Sequence, residues 1–377
     1  MSAAQWRRAM NSAAAAAAPT VRAPAARSVQ ALPSSAAETV PSWPGRWLAR
    51  IRPRHIVVLA ALIVYPFVAS PFFTYQIGAQ ALALGLIARS LTCLGGYGGM
   101  VSLAQMTIAG VAGYGVAVFG TSSAAAISLG WPWWLASAVA IALATAFAAA
   151  VGWLSVRTEG IYTIMITLAI GVAFFYLAQQ NYTVFNGFQG FNRAGAPEVL
   201  GTESRDPVAF YFTALACALA GYFLVRHLVR APFGIALQGI RDNPRRMASL
   251  GYAVTAHRVA AYAVSGLLAA VGGVLMVWYN GRISPGTVNL GAMISILLIA
   301  VLGGMKHPIG AFVGAIVYVL LQNFAIDLFV RERFNLVIGA GFLAIVLFSP
   351  DGLLGLWAKL RSSLVKTQTP QQTRRQP

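Results

Sequence analysis

The sequence predicts an all-α, polytopic integral membrane protein, a helical bundle of about ten transmembrane segments. Of its 377 residues, 58% are hydrophobic and 10% are charged, and the mean hydropathy is +0.69. A soluble domain carries about 25% charged residues. Apolar segments of near-spanning length follow one another along most of the chain, and basic residues collect between them and in both tails. These three observations together indicate a chain that crosses the membrane many times.

The apolar segments define the predicted spans, since a transmembrane helix needs about 20 residues. They run approximately over 56–74, 77–95, 100–120, 131–155, 160–178, 208–229, 258–280, 290–305, 308–330 and 334–350. The third and the eighth are short and glycine-rich, so we expect one or both to be re-entrant or broken helices. An even number of spans places both termini on one side of the membrane.

Two tails flank the transmembrane domain, which we assign to residues 51–358. Residues 1–50 are rich in Ala, Pro and Ser with scattered arginines, which predicts a disordered, basic cytoplasmic tail. Arg7 and Arg8 precede an alanine run, as in a signal peptide, but that run is only weakly apolar and Pro19 follows it. Residues 359–377 are polar and basic, and predict a second cytoplasmic tail.

The distribution of charge supports the same orientation, because basic residues favour the cytoplasmic side. Alternate links between the predicted spans lie on the same side of the membrane, and one such set carries most of the basic residues. The basic positions in this set are Arg46 to Arg54, Arg157, 230–257, Lys306 and Lys359 to Arg361. The 179–207 link falls on the other side and contains Glu198, Glu203 and Asp206. The mildly basic link Arg331-Glu332-Arg333 is an exception. We therefore expect both termini in the cytoplasm.

Residues 230–257 form a long, basic connecting segment of helical character between two apolar segments. We expect a surface helix over Ile235 to Ile240, a break at Asn243–Pro244 and a second turn that ends at Gly251. Such a segment offers a surface to which another protein can bind. The alternative is an amphipathic helix that rests on lipid.

The chain offers little chemistry for an enzyme. It has nine acidic residues and four histidines, without an HExxH motif, a Ser-His-Asp set or paired carboxylates. We predict no catalytic residue and no metal site. The net charge of +18 is attributed to anchoring against anionic lipid rather than to nucleic acid. No GxxxxGK[ST] motif is present, so ATP, if it supplies the energy, would bind a separate subunit.

An ion-coupled carrier is the alternative from another functional class, because such carriers place ionisable residues within the membrane. The candidates are Arg89, Glu159 and Asp327, and we expect all three at the membrane interface. Small residues recur at helical spacing in two segments, at Gly266, Ala269, Ala270 and Gly273 and at Gly310 and Gly314. They predict close packing of helices.

Five segments, in order, resemble the branched-chain amino acid ABC-transporter permeases of the LivM type. They are SLTCLGGYGGMVSLAQMTIAGVAGYG (90–115), RTEGIYTIMITLAI (157–170), residues 233–275, residues 284–315 and FSPDGLLG (348–355). The resemblance covers about residues 55 to 357. It identifies the chain as a member of this family and implies a non-enzymatic permease subunit of an importer in the cell inner membrane.

The resemblance also implies partners and sites. The partners are a second, related permease, two ATP-binding subunits that hold ATP and Mg, and a periplasmic substrate-binding protein, with no cofactor on this chain. The ATPase-coupling role is carried over onto Arg241, Asp242, Asn243, Pro244, Arg245, Ala248 and Gly251. The family's usual residues differ at Thr92, Met100 and Ala104, whereas Gln105 is one of the two usual residues at its position; urea or short amides therefore remain an alternative to branched-chain amino acids.

Polar residues near the interrupted helix are the candidates for the substrate pathway. They are Tyr97, Ser102, Gln105, Thr163, Thr167, Asn186 and Ser295. The Gly95 to Gly99 run can expose backbone groups within the protein. Hydroxyls and amides there would bind a zwitterion, with apolar neighbours around an aliphatic side chain. The alternative for each residue is a hydrogen bond between helices of the bundle.

Overall fold

The computed structural model describes residues 53–124, 127–192, 206–305, 307–328, 339 and 352–355, without the side chains of 53–59 and 325–328. The chain divides into two units at Val57, and the description below concerns the unit that begins at Val58. Several predicted features lie outside the described residues. They are both tails, Lys306, residues 193–205 with their charged side chains, the Arg331-Glu332-Arg333 link and most of the tenth segment.

The described residues fold almost entirely into helices. The α-helices are α1 (Pro53–Val68), α2 (Gln80–Thr92), α3 (Gln105–Phe119), α4 (Trp133–Ser155), α5 (Ile161–Gln180), α6 (Pro207–Arg230), α7 (Pro232–Asp242), α8 (Pro244–Ser249), α9 (Val254–Asn280), α10 (Leu290–Gly303) and α11 (Gly310–Leu328). Two-residue strands β1 (Phe191–Asn192) and β2 (Arg282–Ile283) pair antiparallel, with Phe191 opposite Ile283. The predicted all-α membrane fold is confirmed.

Five of the described helices are long and apolar enough to cross a membrane. One is the continuous helix Phe73–Tyr97, formed by α2 with a π-helical turn at each end, and the others are α4, α5, α6 and α9. Three apolar helices are shorter, among them α3 and α10, which occupy the third and eighth predicted segments. Those two segments are therefore short helices, as expected. The total of about ten spans stays a prediction.

Helix α3 lies at the centre of the bundle. Thirteen of its fifteen residues are buried, from Gln105 to Ala117. It packs against α4 and α9, with α2 nearby. The chain reaches it through a non-helical stretch, Gly99–Ala104, in which Gly99 has a left-handed φ of +69°. Non-helical backbone at membrane depth is tolerated only where protein or a water-filled cavity surrounds it. The third segment is thus a broken helix within the protein.

Small residues let the helices approach one another closely, as the sequence predicts. A Cβ at Gly273 would meet the backbone of Ala109, because α9 lies directly against α3 at this point. A Cβ at Gly314 would meet the backbone of Ile299 and Gly303, because α11 lies directly against α10 at this point. Close backbone contact stabilises helix pairs in lipid, where no hydrophobic effect drives association.

The Gly314→Ala variant is expected to lose stability, because the atoms in the way belong to backbone and cannot rotate aside. Overpacking of this kind costs about 1–3 kcal/mol. The matched control is Gly286→Ala, whose Cβ would meet only the Ser284 hydroxyl at 3.7 Å. Thermal unfolding of the detergent-purified chain should show a lower Tm for Gly314→Ala and an unchanged Tm for the control. Equal Tm values would contradict the packing described here.

The bundle has two distinct ends. Helices α7 and α8 lie at one end, where α6 ends and α9 begins, and residues 230–257 are called the coupling segment below. Helix α9 is 27 residues long and leads directly to β2 at the opposite end. The outer faces of the bundle are apolar. In α5, for example, only 28% of an 18-residue apolar stretch is buried. Such a surface is suited to lipid.

Candidate functional site

The coupling segment consists of two helices separated by a sharp break. Helix α7 extends three residues before the predicted start and two beyond the predicted end, and it buries Gly234, Ala236, Leu237 and Ile240. The side chain of Asn243 then accepts a hydrogen bond from the Arg246 N–H at 3.0 Å, and Pro244 occupies the first turn of α8. Asn243 and Pro244 therefore end one helix and also begin the next. The predicted break is confirmed.

Helix α8 is the exposed part of this segment. None of its six residues is buried. Among the residues assigned to coupling, Asp242, Arg245, Ala248 and Gly251 are exposed and Pro244 is half-buried. Three large apolar side chains nearby are also exposed, Ile235, Leu250 and Tyr252. An exposed helix that combines basic and apolar side chains suits a partner protein or a lipid surface, so both predicted interpretations stay open.

Arg241 connects the coupling segment to the glycine-rich turn, Gly95–Gly99, at the end of the Phe73–Tyr97 helix. Its Nη1 donates a hydrogen bond to the Gly96 carbonyl at 2.7 Å. Its aliphatic carbons lie against Gly99, where a Cβ would collide with them. Its Nη2 lies 2.9 Å from the Asp242 carboxylate. A hydrogen bond from a charged donor is stronger than a neutral one, so Arg241 holds the turn to α7.

The glycine-rich turn also contacts the loop that follows α10. A Cβ at Gly96 would collide with the Met305 carbonyl, and one at Gly95 would meet the Met305 side chain at 3.2 Å. The Leu237 side chain of α7 approaches Gly98 from the other side. The turn is therefore enclosed between α7 and the α10–α11 loop.

A buried polar cluster lies where the non-helical stretch joins α3. Gln105, which is 1% exposed, lies 3.0 Å from the Ser90 hydroxyl through Oε1 and 3.4 Å from the Ser265 hydroxyl through Nε2. Thr167 accepts a hydrogen bond from the Leu103 N–H at 3.2 Å, and the Ser102 hydroxyl accepts one from the Ala104 N–H at 3.3 Å. Four helices thus meet at this point: α2, α3, α5 and α9.

The remaining pathway candidates lie elsewhere. Tyr97 is half-buried in the glycine-rich turn, and Thr163 donates to the Thr158 carbonyl at the start of α5. Asn186 occupies the opposite end of the bundle with a φ of 55°, and its amide donates to Gly190. Ser295 accepts a hydrogen bond from the Tyr318 hydroxyl at 3.0 Å, between α10 and α11. The structure therefore groups only Ser102, Gln105 and Thr167.

Arg89 is buried within the bundle rather than exposed, and its predicted position at the membrane interface stays a prediction. Its side chain is 1% exposed, and none of its three guanidinium nitrogens has a hydrogen-bond partner among the described residues. Its guanidinium carbon lies 5.9 Å from the centre of the Tyr222 ring of α6. The pKa of His307, in the loop after α10, is lowered by partial burial and by the charge of Arg89.

The other two ionisable candidates differ from Arg89. The Glu159 side chain is 77% exposed and lies 3.8 Å from Arg258, as an interfacial residue would. The side chain of Asp327 lies outside the described residues. Within the described part of the chain, no group of three or more His, Cys, Asp or Glu side chains is placed to hold a metal ion.

The comparisons with known proteins agree with this arrangement. Residues 73–346 match the model of the family described as the permease component of branched-chain amino acid transport systems. The match covers helices α2 to α11, the coupling segment and the buried polar cluster. The chain belongs to the LivM-type branched-chain amino acid ABC permease family. Its members are membrane permeases, which is a transport role rather than an enzymatic one.

Individual relatives of the permease are transport-system permeases, and their named substrates differ. It is 24% identical to the high-affinity branched-chain amino acid transport system permease LivM of Escherichia coli over 329 residues, 79% of this chain and 74% of the relative. It is 32% identical to a probable LivH permease of Methanocaldococcus jannaschii, over 39% of this chain and 48% of the relative. It is 30% identical to the nucleoside permease NupC of Lactococcus lactis, over 30% and 35%. No solved structure matches the chain significantly.

Two residues of the permease's buried polar cluster are missing from the sequence-based candidates: Ser90 and Ser265. Ser90 begins the glycine-rich motif, and Ser265 precedes Gly266 in a small-residue stripe. A serine beside a small-residue stripe is a recognisable signal, because close helix contact brings hydroxyls within hydrogen-bonding distance. The burial of Arg89 has no such signal, since its neighbour Tyr222 is 133 positions away in the sequence.

Proposed function

We propose that this permease is the translocating subunit of an ABC importer that moves branched-chain amino acids across the cell inner membrane. The observation that carries the proposal is the Arg241–Gly96 hydrogen bond. It joins α7, which adjoins the exposed helix α8, to the helix break that precedes α3. Such a link is required if force enters from a separate motor.

The proposed complex contains a second, related permease, two ATP-binding subunits, and a periplasmic binding protein that supplies the substrate. ATP and Mg bind the ATPase subunits, and no cofactor binds this chain. We place the coupling segment and both termini in the cytoplasm, because the end of α6 carries Arg226 and Arg230 and the helix α8 carries Arg245. The arginines and exposed apolar side chains of the coupling segment would then face the ATPase.

The mechanism follows from the rigidity of the contacts. When the two ATPase subunits close, α8 is displaced and α7 moves with it. Arg241 and Leu237 carry that motion to the glycine-rich turn, which is continuous with the non-helical stretch before α3. The Gln105 cluster at the start of α3 then changes its partners and opens or closes a route between the helices. Packed elements of this kind switch between discrete arrangements rather than deform continuously.

Reconstituted transport tests the proposal. The assembled complex in proteoliposomes, with loaded binding protein on one side and ATP on the other, is expected to accumulate leucine, isoleucine and valine but not urea. An ATPase-inactive partner should abolish uptake, and collapse of the ion gradients should leave it unchanged. Uptake that requires the ion gradient instead would identify a secondary carrier, and uptake of urea alone would overturn the substrate assignment.

Arg245→Glu is expected to weaken the association of the permease with its ATPase without loss of membrane insertion. Arg245 is exposed on α8, so its replacement disturbs no buried contact. Reversing a charge in a complementary interface places like charges together and costs several kcal/mol. Co-purification should fall at least about 10-fold, whereas Arg245→Lys, which keeps the charge, should co-purify normally. Normal co-purification and transport by Arg245→Glu would contradict a docking role for α8.

A further inference from the structure

A cavity of about 190 Å³ lies between α2, α3 and α9, toward the end of the bundle opposite the coupling segment. Its buried part is apolar and includes Ile87, Met106 and Val277. Its outer part is polar, with Asn280, Arg282 and Thr287. Asn280 and Arg282 are exposed, so the cavity opens at this end. None of these residues belongs to the pathway candidates described above.

Arg282 provides the charge at the mouth of this cavity. Its backbone is fixed by β1, where it pairs with Asn192. Its side chain makes no hydrogen bond or ion pair with any other described residue. Asn280 donates its amide hydrogen to the Met276 carbonyl at 2.9 Å, which leaves its amide oxygen as an acceptor. The mouth therefore offers a free guanidinium beside a neutral acceptor, above an apolar interior.

We propose that this cavity binds a small branched aliphatic carboxylate, with the carboxylate on Arg282 and the hydrocarbon part among Ile87, Met106 and Val277. The inference rests on the proposed function and assigns a substrate site to it. An apolar cavity of about 150 Å³ holds a benzene molecule, so 190 Å³ suffices for the side chain of leucine or isoleucine. Guanidinium binds carboxylate with two parallel hydrogen bonds. Urea has neither a carboxylate nor a hydrocarbon part.

The cavity ends beside the buried polar cluster. Met106 directly follows Gln105 in α3, and Ile87 lies one helical turn from Ser90 in α2. A ligand in the cavity would thus rest above the Gln105–Ser90 contact. The site is consequently placed to receive substrate from the end of the bundle opposite the motor, before the central cluster rearranges.

Ligand binding to the full-length chain in lipid nanodiscs tests the assignment. Saturation-transfer NMR detects weak ligands, and the probes are leucine, 4-methylpentanoate, isopentylamine and urea. Leucine and 4-methylpentanoate are expected to bind, because both have the carboxylate and the branched chain. Isopentylamine and urea are expected not to bind. Binding of isopentylamine equal to that of leucine would overturn the role of Arg282, as would absence of leucine binding.

Variants then locate the ligand. Arg282→Gln should weaken leucine binding at least about 10-fold, because a charged hydrogen-bond donor is removed. Arg282→Lys should retain part of the affinity, and Met276→Trp, which fills the cavity, should abolish binding. The control Arg157→Gln removes another exposed arginine, which stacks on Trp153 and is not part of the cavity. Arg282 is exposed, so Arg282→Gln is expected to fold, and its size-exclusion profile checks this.

The site and the proposed function can fail separately. If the complete transporter takes up leucine with ATP while Arg282→Gln binds leucine as the wild type does, the site is wrong and the importer stands. If leucine binds in the Arg282-dependent manner but ATP drives no uptake, the site stands and the importer is wrong. Equal binding by wild type, Arg282→Gln and Met276→Trp overturns the cavity as the binding site.

Discussion

Replacing Arg241 by alanine is expected to reduce ATP-driven leucine uptake by about 10- to 100-fold, since a hydrogen bond from a charged group contributes about 1.5–3 kcal/mol. The substitution removes the bond to the Gly96 carbonyl and the aliphatic contact with Gly99. The exposed helix α8 is unchanged, so assembly with the ATPase should persist. ATP hydrolysis should continue without transport. Uptake and hydrolysis are measured on the same proteoliposomes.

Two further variants distinguish the effect of the Arg241–Gly96 hydrogen bond from the effect of the charges on Arg241 and Asp242. Asp242→Ala removes the carboxylate beside Arg241 but leaves the Arg241–Gly96 bond in place, so it should reduce uptake less than Arg241→Ala does. Arg241→Lys keeps a positive donor of a different shape, and we expect intermediate uptake. Full transport by Arg241→Ala would show that the motion does not pass through the glycine-rich turn. Loss of ATPase from the purified complex would instead assign Arg241 to docking.

Arg89→Met is expected to raise the thermal stability of the isolated chain. The guanidinium is 1% exposed and has no hydrogen-bond partner among the described residues. Replacing buried charged groups with apolar residues of similar volume often stabilises proteins by about 1–4 kcal/mol. Methionine is flexible and fills the space that the arginine carbons occupy. The Tm of the purified chain in detergent is the measurement.

The control for this prediction is Arg157→Met. Arg157 is exposed and lies 4.1 Å from the centre of the Trp153 ring, so its loss should cost a little stability rather than add any. A lower Tm for Arg89→Met would mean that Arg89 is paired in the folded protein. A transport assay provides a second measurement. A residue that lowers the stability of the protein is expected to be retained for its function, so Arg89→Met should transport less than the wild type.

The coupling segment could be predicted closely because its geometry is local. Pro232 and Pro244 fix helix starts, the Asn243 side chain caps α8, and Gly251 has a left-handed φ of +89°. Each of these effects depends on neighbours within a few residues. The same holds for the broken third segment, where the Gly95–Gly99 run precedes the non-helical stretch. Hydropathy and turn chemistry are therefore sufficient for these features.

The candidate site was only partly predictable, because its contacts join distant positions. Gln105 was a candidate, but its partner Ser265 lies 160 residues away. Arg241 was expected to face a partner protein, and its bond to Gly96 spans 145 residues. Which face of a helix turns inward in lipid cannot be read from apolar content alone, since both faces are apolar. For the same reason, the burial of Arg89 within the bundle could not be predicted from the sequence.

The most direct test of the account is the side of the membrane on which the coupling segment lies. Ala248→Cys marks α8, and Gly286→Cys marks the opposite end; both positions are exposed. The two native cysteines, Cys93 and Cys217, are buried or half-buried and are replaced by alanine in both variants. A membrane-impermeant maleimide added outside right-side-out vesicles is expected to label Gly286→Cys and to label Ala248→Cys only after permeabilisation. Labelling of Ala248→Cys from outside, with Gly286→Cys protected, would contradict the proposed coupling to a cytoplasmic motor.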